Sequence, residues 1–166
     1  MVTEQPEGAV EPRWLDADQQ RSWRALVLGT TLLFDRLDQD LRPHGLSHVE
    51  YGMLVRLDDA GGQMRMAAIA ETFAHSRSRV THTVKRMEAD GLVERVSSPD
   101  DGRGVYARLT PRGKQTLVDL APVHVRGVRD YLVDLVDADD LATFGRVMDT
   151  VCDHLVGDHP DAEMRP

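Results

Sequence analysis

Between Ser76 and Gly113 the chain passes through a hydroxyl-capped amphipathic helix, a glycine stop, a short apolar strand, a Pro-Asp-Asp-Gly-Arg turn, a second short strand and a Thr-Pro helix start. Few architectures accommodate that order. Ser76 is placed to cap the helix, and Gly91 takes the left-handed stop position after about Asp90. Leu92 to Val96 and Val105 to Leu109 have the composition of antiparallel strands, joined by a loop from Ser97 to Gly104 that carries Pro99, Gly102 and Gly104. Just upstream, Met66, Ile69, Ala70 and Phe73 follow the i, i+3, i+4, i+7 spacing of a short helix, and Ala74-His75-Ser76 forms the turn between the two helices.

Two helices across a tight turn, followed by a hairpin, make the layout of a winged helix-turn-helix. The second helix carries the chemistry. With 100° per residue and Val80 as the inner direction, Val84 and Met87 lie within about 40° of it, while Ser78, His82 and Lys85 lie within about 40° of the opposite pole. Thr81 flanks that pole on one side, and Arg79 and Arg86 on the other. Arg77 sits in the first turn, where helix ends reach a groove. Ordinary solvated helix faces mix Glu with Lys, yet Ser76 to Arg86 contains no acid. Arginine can contact guanine in a bidentate way, hydroxyls serve bases or phosphates, and Lys85 and Arg86 suit phosphates. In the hairpin, Arg103 stands at a glycine-containing tip, where an arginine can enter a narrow minor groove. Asp101 can hold that guanidinium extended or pair with another arginine. The expected DNA-contacting set is therefore Ser76, Arg77, Ser78, Arg79, Thr81, His82, Lys85, Arg86, Asp101 and Arg103.

The formal net charge of −8 over 166 residues argues at first against a nucleic-acid partner. Its distribution does not. Gln63 to Lys114 holds ten Lys/Arg against six Asp/Glu, a local +4, which leaves −12 for the remainder. Screening at physiological salt separates charges beyond about 8 Å, so a basic patch on an acidic body still attracts phosphate locally.

The flanks are helical. Asp16 and Gln19 form a capping box ahead of Trp23, Leu26, Thr30, Leu33, Phe34, Leu37 and Leu41, and Pro43 with Gly45 closes that helix. Ser47 and Glu50 make a second capping box, with Leu46 and Tyr51 at the spacing of a hydrophobic staple; Met53, Leu54 and Leu57 form the inner face of the helix, which Ala60-Gly61-Gly62 ends. Thr110-Pro111 opens a helix whose apolar series runs from Leu117 and Leu120 through Val128, Tyr131 and Leu132 to Leu135, with Pro122 expected to bend or split it. Asp137 and Asp140 open a last helix with Leu141, Phe144, Val147, Met148, Val151 and Leu155 on one face. These terminal helices are too few to form a separate core, and burying their stripes against a second copy in a two-fold dimer is the economical solution. The expected fold is mainly α: a winged helix-turn-helix lobe with a two-stranded β wing at 46–110, and a helical dimerisation region from 16–45 and 111–156. A loose arm (1–15) precedes it and a loose tail (157–166) follows.

Collectively, these residues resemble the MarR family of bacterial winged-helix regulators, over roughly Asp16 to Leu155. The resemblance is carried by Leu46-Ser47-His48-Val49-Glu50-Tyr51, by the run from Ser76 to Arg95, by Ser98-Pro99-Asp100-Asp101-Gly102-Arg103-Gly104, and by Leu109-Thr110-Pro111-Arg112-Gly113. It implies a homodimer with intertwined terminal helices on a pseudo-palindromic operator, with recognition helices in major grooves and wings in flanking minor grooves, acting as a repressor. The family's wing Asp-x-Arg pattern falls on Asp101-Gly102-Arg103. The resemblance further implies a small aromatic or phenolic effector in a cleft beside the DNA-binding lobe, for which Trp23, His44, His48, Tyr51 and Arg95 are the candidate lining residues.

Other chemistries find little in the chain. The single cysteine excludes an internal disulfide and suits a reducing cytoplasm. Redox-sensing relatives carry their reactive thiol near the first helix; Cys152 lies in the last one, beside Met148, Val151 and Leu155, and is expected to be buried and inert. The pairs His44/His48 and His154/His159 lack a supporting ligand cluster, so no metal and no cofactor is expected. No phosphate loop, nucleophile elbow or triad spacing supports an enzyme. No apolar run approaches the ~18 residues of a membrane span, so no membrane partner is expected. The rival from another class is a helical homodimeric adaptor that binds protein and no DNA.

Overall fold

The computed structural model describes residues 12–73, 75–97 and 104–156. Helix α1 (Ala17–Leu41) opens on Asp16, whose side chain accepts from Gln19 N–H while the Gln19 side chain accepts from Asp16 N–H. A 3-10 turn (Arg42–His44) and left-handed Gly45 redirect the chain into α2 (His48–Asp59). The Ser47/Glu50 capping box forms as the spacing predicts, and Leu46 and Tyr51 are both buried beside it. Strand β1 (Gln63–Arg65), α3 (Met66–Thr72), α4 (Arg77–Ala89), β2 (Val93–Ser97), β3 (Val105–Leu109), α5 (Pro111–Tyr131) and α6 (Ala138–Val156) complete the order.

The wing is broader than expected. Its sheet has three antiparallel strands in the order β1-β3-β2, with Met64 opposite Ala107 and Arg95 also opposite Ala107 on the other side. Strand β1 is three residues long, too short to show alternation, and it is recognisable only through its pairing with β3. Helix α5 also departs from expectation. It runs unbroken past Pro122 and ends at Tyr131, so that Leu135 lies in a following 3-10 turn (Val133–Leu135) and not in the helix. The Thr110 side chain caps α5 and also donates to the Gly91 carbonyl, fixing the helix start to the end of α4.

The core sits where α2, α3, α4 and the sheet meet. Leu41, Met53, Leu54, Leu57, Ile69, Val80, Val84 and Met87 are fully buried there. Each such side chain contributes about 1.5–3 kcal/mol by leaving water. By contrast, α6 leaves Phe144, Val147, Val151 and Leu155 exposed, and α1 leaves Trp23, Leu28, Leu32 and Phe34 exposed. Cys152 is exposed with them, which corrects the expectation of a buried thiol: the apolar stripe around it is not covered by its own chain.

Gly113 marks the tightest junction. A Cβ there would overlap the Leu92 carbonyl oxygen and crowd Leu109 Cδ1 at 2.8 Å. Backbone is the obstacle, so a side-chain rotation cannot relieve it. Gly113→Ala is expected to lower unfolding stability by about 2 kcal/mol or more, measured by denaturant titration; an unchanged midpoint would show that α5 can slide away from β2 freely.

Candidate nucleic-acid interface

Helix α4 is oriented by its inner face. Val80, Val84 and Met87 are 0%, 2% and 0% exposed, locked into the core from below. The Ser76 hydroxyl accepts from Arg79 N–H at 3.3 Å, and Gly91 closes the far end with φ +71°. Ser76, Arg77, Ser78, Arg79, Thr81, His82 and Lys85 are all exposed on this helix. The Thr81 hydroxyl donates to the Arg77 carbonyl at 2.8 Å, so it presents lone pairs outward. Asp101 and Arg103, the expected wing contacts, lie outside the described residues.

Several cations away from this face are paired with acids. Arg108 pairs with Glu94, Arg95 with Glu88, Lys114 with Asp58, Arg42 with Asp38 and Arg129 with Asp134. Arg77, Arg79 and Lys85 make no ion pair among the described residues. Arg86 is the exception on α4. Its Nε donates to Glu50 Oε1 at 2.6 Å, and Glu50 is 4% exposed. The partner guanidinium and the Ser47 donors hold the Glu50 carboxyl below the usual range against the opposing effect of burial, and Glu50 in turn raises the Arg86 pKa.

The five residues expected to line an effector cleft are not gathered into one cavity. Trp23 and His44 are exposed, and Arg95 is held on β2 by Glu88. His48 and Tyr51 do come together, through a residue not anticipated. His124 of α5 stacks on His48 at 5.7 Å and lies 4.6 Å from Tyr51, and Phe34 of α1 also stacks on His48 at 5.2 Å. Only the fold brings α5 over α2, so nothing local in the sequence marks His124. A separate depression of about 160 Å³ at the α1–α5 crossing is lined by Asp40, Val123, Arg126, Gly127, Asp130 and Tyr131. No group of three or more His, Cys, Asp or Glu among the described residues is arranged to hold a metal ion. No helix among them is long and apolar enough to cross a membrane.

Burial lowers the pKa of both His48 and His124; Asp38 opposes the shift at His48, and His48 adds to it at His124. The Nδ1 atoms of both rings are buried without a hydrogen-bond partner among the described residues. Below the unfolded histidine pKa of about 6.5, the unfolded chain takes up protons that the folded one refuses. Stability is therefore full above that pH, falls as pH drops through it, and levels off below the folded values. Between about pH 7.5 and about pH 5.5, which bracket that pKa, the melting temperature is expected to fall, and to fall less when His48 and His124 are both replaced by Phe. Equal slopes for parent and double variant would place the proton uptake elsewhere.

A winged helix-turn-helix that presents unpaired cations and hydroxyls on its second helix defines a class of DNA-facing folds. Comparison with known proteins narrows it. A model of the MarR family matches residues 44–104. AbsC, a MarR family transcriptional regulator from Streptomyces coelicolor, is 36% identical, with 89% of this chain and 100% of that chain covered and a TM-score of 0.82. Sco3205, a MarR family transcriptional regulator from the same organism solved in complex with DNA, is 38% identical, with 89% and 94% covered and a TM-score of 0.83. YkoM of Bacillus subtilis, an uncharacterised HTH-type transcriptional regulator, is 30% identical over 86 residues, which are 52% of this chain and 55% of that relative. The match thus spans about half the length of YkoM. The chain belongs to the MarR family, whose members are transcriptional regulators and not enzymes.

Proposed function

We propose that this regulator is a repressor that acts in the cytoplasm as a homodimer on a pseudo-palindromic operator. Residues 46–110 form the DNA-binding lobe, and 16–45 with 111–156 form the dimerisation region. The observation that carries DNA binding is the outer face of α4: Ser76 to Arg86 holds no acid, and Arg77, Arg79 and Lys85 stand exposed without an ion pair among the described residues, while Arg95 and Arg108 of the adjoining strands are each met by an acid. Exposed cations on an acid-free helix have little to do in the folded chain and much to offer phosphates and guanine edges. DNA binding by the similar Sco3205 supports the same use here. Arg103 is the proposed minor-groove contact, with Asp101 as the acid that orients it.

The exposed stripes of α1 and α6 support the dimer, because apolar patches of this extent mark association surfaces. Effector control rests on the Phe34–His48–His124–Tyr51 cluster, which lies where α1 and α5 meet the DNA-binding lobe. A small aromatic or phenolic molecule inserted there would change the lobe spacing and release the operator, by as much as its affinity differs between the two states.

Selection from random duplexes by the purified protein tests the DNA reading. A defined motif with inverted half-sites is expected, with affinity falling steeply with salt. Lys85→Ala should reduce the log-log salt slope by about 0.9 for each phosphate it leaves without a cation, while Arg77→Ala or Arg79→Ala should relax sequence choice. Absence of sequence preference at any salt would favour the protein-binding adaptor instead. Val147→Glu, on the exposed stripe of α6, is expected to shift the dimer to monomer in sedimentation and to weaken operator binding with it; a dimer unaffected by that charge would move the interface off α6.

A further inference from the structure

Glu50 is a buried carboxylate in a protein whose other acids are mostly at the surface. Burying a charge is costly unless it is fully satisfied. Here Oε2 accepts from Ser47 N–H at 2.9 Å and from the Ser47 hydroxyl at 2.7 Å, and Oε1 accepts from Arg86 Nε at 2.6 Å. The bond to Arg86 joins the first turn of α2 to the last turns of α4, 36 residues away. Its geometry is lopsided. The carboxylate end is sealed, whereas the Arg86 side chain is 55% exposed, and its Nη1 and Nη2 make no hydrogen bond among the described residues. The terminal N–H groups therefore remain available to an acceptor outside the chain.

The position of that fork matters. Around α4, Arg86 lies about 20° from Arg79 and seven residues further on, so the two sit on one flank of the acid-free face, about 10 Å apart along the axis. A long arginine side chain on a surface normally surrenders much rotational freedom when it meets a phosphate. Held at Nε, it surrenders less, and its remaining plane is already directed. The carboxylate offsets part of the positive charge, so the gain is in orientation more than in attraction.

We infer that Glu50 is a positioning residue for operator binding, gripping Arg86 through Nε so that Nη1 and Nη2 face a phosphate beside the groove that α4 enters. This rests on the proposed DNA-binding function. It gives the capping-box acid a second task, and it makes the α2 start part of the DNA-reading surface without touching DNA.

Two substitutions separate this from a purely structural pair. Arg86→Gln keeps an N–H for Glu50 and removes the charged fork. Glu50→Gln keeps one acceptor oxygen for Ser47, as a capping box allows, and has no second oxygen for Arg86. Binding to a duplex selected by the parent protein is measured across salt for parent, both single variants and the double variant, with melting curves beside it. Arg86→Gln is expected to weaken binding roughly tenfold and to lower the salt slope by about 0.9 for each phosphate no longer neutralised; it also lowers the melting temperature, because the buried Glu50 charge loses its cation, so binding is compared well below that temperature. Glu50→Gln is expected to weaken binding by a smaller factor in the parent and by none in the Arg86→Gln background. Parent-like affinity and slope for Arg86→Gln, or an equal loss from Glu50→Gln in both backgrounds, would overturn the inference while leaving DNA binding intact. A parent that selects no duplex would overturn the DNA reading and this inference together. Should Glu50→Gln not fold, Glu50→Asp, which keeps the charge and shortens the reach to Arg86, takes its place in both backgrounds with the same expectation, and an equal loss in both would overturn the inference.

Discussion

The fold turns on three side chains of α4. Val80, Val84 and Met87 are sealed in the core between α2, α3 and the sheet, and they leave the helix no freedom to roll about its axis. On a helix of 3.6 residues per turn, what is buried on one side dictates what faces out on the other. Ser78, His82 and Lys85 are exposed because those three are not. Rolling the helix would put polar groups into the core without partners, at a cost of about 1–3 kcal/mol for each neutral one and more for a charge. The outward chemistry of α4 is therefore a consequence of core packing, and its precision is inherited from the core.

That dependence explains which parts of the molecule were legible in the sequence. Capping boxes at Asp16/Gln19 and Ser47/Glu50, the Gly91 stop and the Thr110-Pro111 start depend on interactions within a few residues, and each is where the local pattern puts it. The wheel of α4 is equally local. Long-range pairing was not legible. Strand β1 has three residues and owes its existence to β3, about forty residues later. His124 meets His48 and Tyr51 only after α5 crosses α2. Glu50 showed its capping role and hid its pairing with Arg86, because the first is set by three residues of separation and the second by tertiary packing. Cys152 failed as an expectation for a related reason. Apolar neighbours on one helix face announce that something covers them, without saying that the cover belongs to the same chain.

The start of α2 is where these long-range interactions converge. Asp38 of α1 accepts from His48 N–H at 2.9 Å, His48 stacks with both Phe34 and His124, and two residues on Glu50 holds Arg86. One helical turn thus touches the terminal helices on one side and the DNA-facing helix on the other. A shift of α1 or α5 against α2 cannot leave that turn alone, since packed interiors deform in steps and not smoothly. An aromatic molecule wedged among these rings would act on the same turn, and through it on the orientation of α4.

Charge placement follows the same economy. Acids dominate the chain, with 28 Asp and Glu against 20 Lys and Arg, and a body of that sign is repelled by a polyanion. Pairing resolves the conflict locally. On β2, β3 and α5, Arg95, Arg108 and Lys114 are matched by acids, while Arg77 and Arg79 in the first turn of α4 have no ion pair among the described residues. The attraction of the α4 cations for phosphate acts within about a Debye length of a surface that can also inspect bases. A uniformly basic body would bind any duplex through the counterions it releases, and would gain affinity at the expense of choice. An acidic body with an acid-free, cation-bearing face on α4 gives up much of that indiscriminate affinity, and what remains depends on the fit of α4 to the groove.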